Sequence, residues 1–354
     1  MSVKHVEIKG VPVSLTDGWV FTGNITGEGS AAEQIAGCAE KLGAIIEQCG
    51  LSRNSAVKCT VVIKDYEMKE SVIQALESLL GDSLPAMSFL EEAESTTSSL
   101  VSLDVILSGD AEPQRFYNGE KYPCAVKAGD FVYISAQTAG SRIENLEEET
   151  ELTLGKLTAA LNQAGCTVKQ VVKNQVFIQD CSQFDRFNKA FVRVFEKTDN
   201  SPARSLLGIT GLGTDGSVAA EAIAYTGDAR RTFVCPDAPY SATAPYCQAI
   251  QAGHMVFVSG QVGRDVVRNI ICSPLEEECR QTIKNVTSIL AYRGVVAENY
   301  IKTNSFLREA KNNAAFNSMI EDALGYAGTN IFYTVSGLAR PTLAVEMDAV
   351  AYID

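Results

Sequence analysis

Histidine is almost missing from this chain: 354 residues contain two, His5 and His254. That withholds the commonest general base and the commonest zinc ligand from nearly every position. Ten cysteines occur, with no Cys-x-x-Cys and no pairing pattern. Neither a zinc site nor a disulfide framework is expected, and reduced thiols in the cytoplasm fit the composition. No apolar run is long enough to span a bilayer. The opening Met-Ser-Val-Lys-His-Val-Glu is no secretory signal. A phosphate-binding glycine loop is also lacking. Basic residues are the minority, 30 Lys and Arg against 43 Asp and Glu, for a net charge of −13. Such a surface repels a phosphate backbone, and Arg230-Arg231 is the only paired basic dipeptide. The sequence therefore predicts no metal, no organic cofactor, no membrane and no nucleic-acid partner.

What the chain has is repetition. Gly50 to Asp65, Gly165 to Asp180 and Gly294 to Glu309 share a pattern: glycine, a lysine eight residues on (Lys58, Lys173, Lys302), an apolar run, then an acid. An amphipathic stretch precedes each glycine. Before that comes an apolar strand ending Phe-Thr-Gly-Asn (21–24), Ile-Ser-Ala-Gln (134–137) or Val-Ser-Gly-Gln (258–261). A second helix and a final apolar strand follow, the strands covering 101–107, 218–225 and 345–352. Self-similarity of this period is read before fold. Turn formers at 109–113 and 227–239 predict three domains, 1–111, 112–234 and 235–354. In the second, helices are predicted at about 147–164, with Leu154, Leu157, Leu161 and Ala164 on one face, and 183–196, with Phe184, Phe187, Phe191 and Phe195. Gly165 ends the first helix, and 171–178 is a strand. Each unit reads as α+β, a mixed sheet with two helices on one face. Three open sheet faces turned inward would bury one another, giving a trimer within one chain that needs no partner copy.

Ala-Pro-Tyr-Cys-Gln-Ala (244–249) with Val-Phe-Val-Ser-Gly-Gln (256–261), and Pro-Ala-Arg-Ser (202–205) with Glu-Ala-Ile-Ala (221–224), resemble the signatures of the Rid/YjgF (L-PSP) family of reactive intermediate deaminases. The likeness covers the whole chain and is weakest in the first repeat. It implies chorismate-mutase-like domains, pockets between neighbours, and hydrolysis of enamines or imines such as 2-aminoacrylate to 2-keto acids and ammonia without a cofactor. It also implies a pocket built from a tyrosine, a Ser-Gly, an arginine after Pro-Ala, a strand carboxylate, and a helix aromatic plus asparagine.

Carried onto this sequence, those features are split. The third repeat has Tyr246, Ser259, Gly260 and Glu346, but Thr329 to Phe332 stand where Pro-Ala-Arg-Ser would be, and Asn313 replaces the helix aromatic while Asn317 is kept. The second has Phe184, Asn188 and Arg204, with Tyr122 and Ser135, but Ala136 and Ala219 replace the glycine and glutamate. The first has Lys9, Lys69, Ile73, Met87 and Ser102 at the corresponding places. The halves are complementary, so one composite pocket is expected between repeats two and three. There Arg204, Glu346 and Tyr246 would be catalytic, and Ser259, Gly260, Phe184, Asn188 and Arg204 would bind a small carboxylate. If arginine and glutamate came from one repeat instead, no complete pocket would survive. A protein that only binds carboxylates or 2-keto acids is the alternative. A ribonuclease label also travels with the family, and the charge and the lack of a histidine pair argue against it. Asp104, Glu221 and Asp348, with the three lysines, recur in every copy and read as ion-paired core groups. Asp348 is expected to face away from Glu346.

Overall fold

A computed structural model describes residues 3–92, 99–109, 112–196, 201–240, 245–325 and 328–353. The expected first boundary, Asp110-Ala111, and Ala244 of the motif lie outside the described residues. The first unit contains β1 (Lys4–Ile8), β2 (Val11–Thr16), β3 (Trp19–Thr22), β4 (Ile25–Thr26), α1 (Ala31–Gln48), β5 (Ala56–Ile63), α2 (Lys69–Leu80), β6 (Ala86–Glu91) and β7 (Val101–Ser108). The second contains β8 (Gln114–Phe116), β9 (Ala125–Ala128), β10 (Phe131–Thr138), α3 (Leu146–Gln163), β11 (Val171–Ile178), α4 (Phe184–Val194), β12 (Ala203–Gly208) and β13 (Val218–Tyr225). The third contains β14 (Arg230–Phe233), β15 (Ala249–Ala252), β16 (Met255–Val258), β17 (Gln261–Val262), β18 (Arg264–Asp265), β19 (Ile270–Ile271), α5 (Leu275–Tyr292), β20 (Tyr300–Leu307), α6 (Asn313–Leu324), β21 (Thr329–Thr334) and β22 (Val345–Tyr352).

Each unit is one mixed sheet with the same strand order, and the strand after the second helix pairs in parallel at its edge, as β6 does on β5. The helices form where the apolar stripe and the caps agree. Ser30 closes a capping box with Glu33 at α1, and Asn145 caps α3, whose first turn carries Glu147, Glu148 and Glu149 against the helix dipole. Gly50, Gly165 and Gly294 follow the first helices at φ of +68°, +74° and +84°, a left-handed conformation that glycine adopts without strain. Each helix pair is sealed to its own sheet by a separate apolar cluster. No helix of the described residues is long and apolar enough to cross a membrane. All ten cysteines are unpaired. Part of the expected second linker is itself a strand: β14 joins the edge of the third sheet through β15.

The opposite sheet faces meet one another, as expected of three inward faces. One cluster combines Phe21, Val57 and Ile106 of the first unit with Phe131, Tyr133 and Val172 of the second and Phe257, Ile301 and Tyr352 of the third. A second combines Val62 and Leu90 with Phe177 and Leu207 and with Phe306 and Tyr333. Buried ion pairs then run in cyclic order. Lys58 reaches Glu221 of the second unit at 2.7 Å, Lys173 reaches Asp348 of the third at 2.7 Å, and Lys302 reaches Asp104 of the first at 2.6 Å. Hydroxyls complete them: Ser88 on Glu221, Ser205 on Asp348 at 2.6 Å and Tyr333 on Asp104 at 3.1 Å. The recurrent lysines and acids thus pair between copies.

The strand register corrects three alignments by one residue. Phe21 lies level with Tyr133 and Phe257 on the matching strand, so Gly23 matches Ser135 and Ser259, and Asn24 matches Ala136 and Gly260. By the same pairing Gly10 rather than Lys9 takes the tyrosine's place. On the parallel edge, Asn330 pairs with Thr303 as Arg204 pairs with Asn174, so Asn330 stands for the arginine. Short loops of unequal length had shifted the sequence match.

Breaking one buried pair strands a charge. Lys173→Met leaves Asp348 without its cation and is expected to destabilise the chain by roughly 3–5 kcal/mol, read by denaturant unfolding. Lys173→Met combined with Asp348→Leu is expected to recover most of that loss.

Candidate active site between the second and third units

Three seams join the units, and the two that involve the second unit are built the same way. At the seam between units two and three, the Ser259 hydroxyl accepts from the Arg204 N–H at 2.8 Å and donates to the Cys247 carbonyl at 2.5 Å. The Gly260 N–H donates to the Arg204 carbonyl at 3.0 Å. Ser135 does the same for Met87 and Pro123 at the seam between units one and two, at 2.8 and 2.6 Å. This differs from the binding role expected of Ser259. Its hydroxyl is fully buried and holds the Arg204 strand against the neighbouring unit.

That seam opens into a cleft of about 950 Å³. Phe184, Asn188 and Arg204 line it from the second unit, and Tyr246, Gly260 and Glu346 from the third. The structure thus brings six of the seven expected residues to one wall space, from two units. The guanidinium of Arg204 is buried, with its carbon 4.6 Å from the Tyr246 ring centroid and 4.7 Å from that of Phe191. It donates to Asn188 Oδ1 at 2.9 Å. No carboxylate of the described residues forms an ion pair with it. Burial pushes its pKa down to about 10, against the pull of Tyr246 and Glu346, so it remains a cation at neutral pH.

Glu346 is 5% exposed. Burial first, and then the nearby Asp348 charge, push its carboxyl up to about 8, with Lys173 and Arg204 opposing. The expectation that Asp348 faces away is corrected: residues two apart on a strand share a face. Glu278, in the first turn of α5, accepts from the N–H groups of Ala344 and Val345 at 2.9 and 3.3 Å, fixing the backbone just before Glu346. Glu149 plays the same part in the second unit, on Ser217 and Val218. Among the described residues no group of three His, Cys, Asp or Glu is arranged to hold a metal ion.

Comparing the seams explains which positions changed together. A Cβ on Gly260 would lie 1.8 Å from Glu346 Oε1. The glutamate can occupy its place only because residue 260 has no side chain. At the first seam the two positions are Ala136 and Ala219, and at the seam between units three and one they are Asn24 and Ser102, whose side chains meet at 3.5 Å. The opposite wall covaries as well: Arg204 with Asn188, Asn330 with Asn317 at 2.8 Å, and the apolar Met87 with Ile73. At the first seam Lys69 takes the place of Phe184, and its ammonium lies 5.2, 5.2 and 5.6 Å from the Tyr66, Phe89 and Tyr122 ring centroids. The chain's own cation fills that space.

Several cleft residues gave no sequence signal in the repeat comparison. Arg264, Asn269, Ile270 and Ile271 come from the β18–β19 hairpin, and Arg340 and Leu343 from the segment before β22. That segment is held by a backbone bridge in which the Gly208 N–H donates to Gly337 at 2.9 Å. A Cβ on Gly208 would meet Gly337 N at 2.7 Å. The usable clue was length: 262–274 separates Gln261 from α5, whereas 138–145 separates Gln137 from α3.

Gly260→Ala is expected to push the Glu346 carboxylate out of its place and to lower the unfolding temperature. Gly260→Ala with Glu346→Ala reproduces the pair found at the first seam. It is expected to unfold at the wild-type temperature or above.

A model of the family described as Endoribonuclease L-PSP matches residues 113–226 and 236–353. The 2-iminobutanoate/2-iminopropanoate deaminase of Mus musculus is 30% identical over 124 residues, 34% of this chain and 90% of that protein. The protein of the same name from Dermatophagoides farinae is 30% identical over 94 residues, 26% of this chain and 73% of that protein. A RutC family protein of Pyrococcus abyssi is 29% identical over 110 residues, 30% of this chain and 86% of that one. A chorismatase crystal structure superposes with a TM-score of 0.59 over 84% of this chain and 93% of its own, at 13% identity, a likeness of fold alone. The two matched segments span more than half of the residues, and the chain belongs to the L-PSP (YjgF/Rid) family.

Proposed function

We propose that this chain hydrolyses small carboxylate-bearing imines, formed directly or by tautomerisation of enamines, to 2-keto acids and ammonia at the cleft between its second and third units. The observation that carries the reading is Glu346, a carboxyl held mostly neutral at pH 7, in the same cleft as an arginine without a carboxylate partner. The relatives named as 2-iminobutanoate/2-iminopropanoate deaminases support the reaction class.

The guanidinium fork of Arg204 binds the substrate carboxylate through two parallel N–H donors, its plane fixed by Tyr246, Phe191 and Asn188. Neutral Glu346 donates its proton to the imine nitrogen, raising the electrophilicity of the C=N carbon. The resulting carboxylate accepts a proton from the attacking water, so the C–O bond forms as the O–H bond breaks. The carbinolamine then collapses: Glu346, protonated again, gives its proton to the amino nitrogen, the C–N bond breaks and ammonia leaves, and the hydroxyl proton passes to the Glu346 carboxylate as C=O forms. One group serves as acid and then base, which suits a pKa near the working pH. The chain acts as a single three-unit monomer, because its own seams supply what separate copies would. Light scattering is expected to give the mass of one chain, and a mass of three chains overturns that.

Three outcomes test the chemistry, with keto acid released from freshly generated 2-aminoacrylate as the readout. Arg204→Lys keeps the charge and loses the fork, and is expected to weaken carboxylate binding by roughly 1.5–3 kcal/mol, about ten- to a hundredfold. Glu346→Gln preserves shape, and is expected to spare binding and abolish turnover. Wild-type turnover is expected to fall as pH rises through about 8, where Glu346 loses its proton, and that inflection is expected to vanish in Glu346→Gln. Stability follows the same group. The unfolded chain releases this proton near pH 4.5 and the folded chain near 8, so stability falls as pH rises between them. If wild type does not accelerate hydrolysis while Arg204→Lys still weakens binding of pyruvate, the cleft binds carboxylates without turnover.

A further inference from the structure

Resting on that reading, we infer that the cleft's substrates are 2-imino acids whose side chain is long and apolar and ends in a second anionic group. A volume of about 950 Å³ is at the upper end of pockets that enclose drug-sized molecules, and a three-carbon imino acid occupies a small part of it. Val262, Ile270, Ile271 and Leu343 give the same space an apolar lining. Two further guanidiniums, Arg264 and Arg340, line it as well, and both are exposed whereas Arg204 is buried. The cleft therefore combines a buried cation, an apolar lining and two exposed cations at its mouth, with Asp185 the one exposed acid in its lining.

The mouth cations stand out in a chain of net charge −13. Acids outnumber bases, yet neither Arg264 nor Arg340 forms an ion pair with a carboxylate of the described residues. Arg264 donates instead to the amide of Asn269 across its own hairpin at 2.6 Å, which presents its guanidinium beside the cleft. The neighbouring Arg268, on the same hairpin, is paired with Asp265 at 3.5 Å and does not line the cleft. Cleft-facing arginines thus lack carboxylates where the outward one has its own. The hairpin occurs at this seam only among the described residues, since the equivalent stretch of the second unit, 138–145, forms no strand pair after Thr138. It walls one cleft and gives that cleft its second cationic group.

Titration calorimetry with three stable 2-keto acids tests this: pyruvate, 2-oxooctanoate and 2-oxooctanedioate. On the wild-type chain 2-oxooctanoate is expected to bind more tightly than pyruvate, by about fourfold per methylene that the apolar walls bury. The diacid is expected to bind more tightly again, by about two- to fivefold for each arginine at the mouth, the range of exposed ion pairs. Arg340→Gln and Arg264→Gln are each expected to reduce the diacid preference and leave pyruvate affinity unchanged. Arg340 lies outside the hairpin, in the segment before β22, so its variant keeps the test valid if Arg264→Gln loosens the hairpin. Equal affinity for all three acids overturns the inference, as does a diacid preference that survives both substitutions. Arg204→Lys separates the two levels. If it weakens all three ligands while length and second charge make no difference, this inference fails and the imine reading stands. If it weakens none, the imine reading fails with it.

Discussion

Three lysines reaching across three seams hold this chain in its closed form. Lys58, Lys173 and Lys302 each leave their own sheet and find an acid on the next, and each pair is buried to within a tenth of its surface. A buried ion pair adds little stability over a well-packed apolar pair, but it penalises any arrangement that leaves a charge alone. A unit that slid by one residue would break the two pairs it shares with its neighbours and strand four charges. The apolar clusters on either side supply the attraction, and the ion pairs select one arrangement of it. The seam geometry follows, and with it the placing of Arg204 from one unit against Glu346 from the next.

Much of this was legible in the sequence because repetition makes its own alignment. The helix limits of the second unit, the strand at 171–178 and the recurrent lysines and acids all follow from periodicity, caps and spacing. The split of Arg204 and Glu346 between units came instead from the family resemblance, which implied the two halves that each survive in one copy. What was not legible depends on register. Gly23 and Thr22 exchange roles by a single pairing step, and Asn330 takes the arginine's position through a parallel edge whose partner lies 27 residues away. The part played by the Ser259 hydroxyl was not legible for a related reason. A hydroxyl beside a pocket and a hydroxyl holding the pocket's wall look alike until its partners are known.

The Gly260 and Glu346 pair shows how a site can be lost while the seam persists. Once the carboxylate shortens to Ala219, the glycine opposite it is no longer required and Ala136 fits. Once the guanidinium becomes Met87, its amide partner can become Ile73. These substitutions keep contact across the seam, and the helix and strand geometry is retained in all three units. Losing the site and keeping the scaffold are separable because different atoms of the same residues serve each.

The β18–β19 hairpin carries a further consequence. In an assembly of identical subunits, any insertion at a seam is made in triplicate and must be tolerated at every one of them. Here Tyr66 rests against Gly213 so closely that even a Cβ there would fall 1.3 Å from its ring. Joining the copies in one polypeptide removes the obligation to be identical. One seam could lengthen its loop while another closed over a lysine, so covalent linkage made asymmetry heritable.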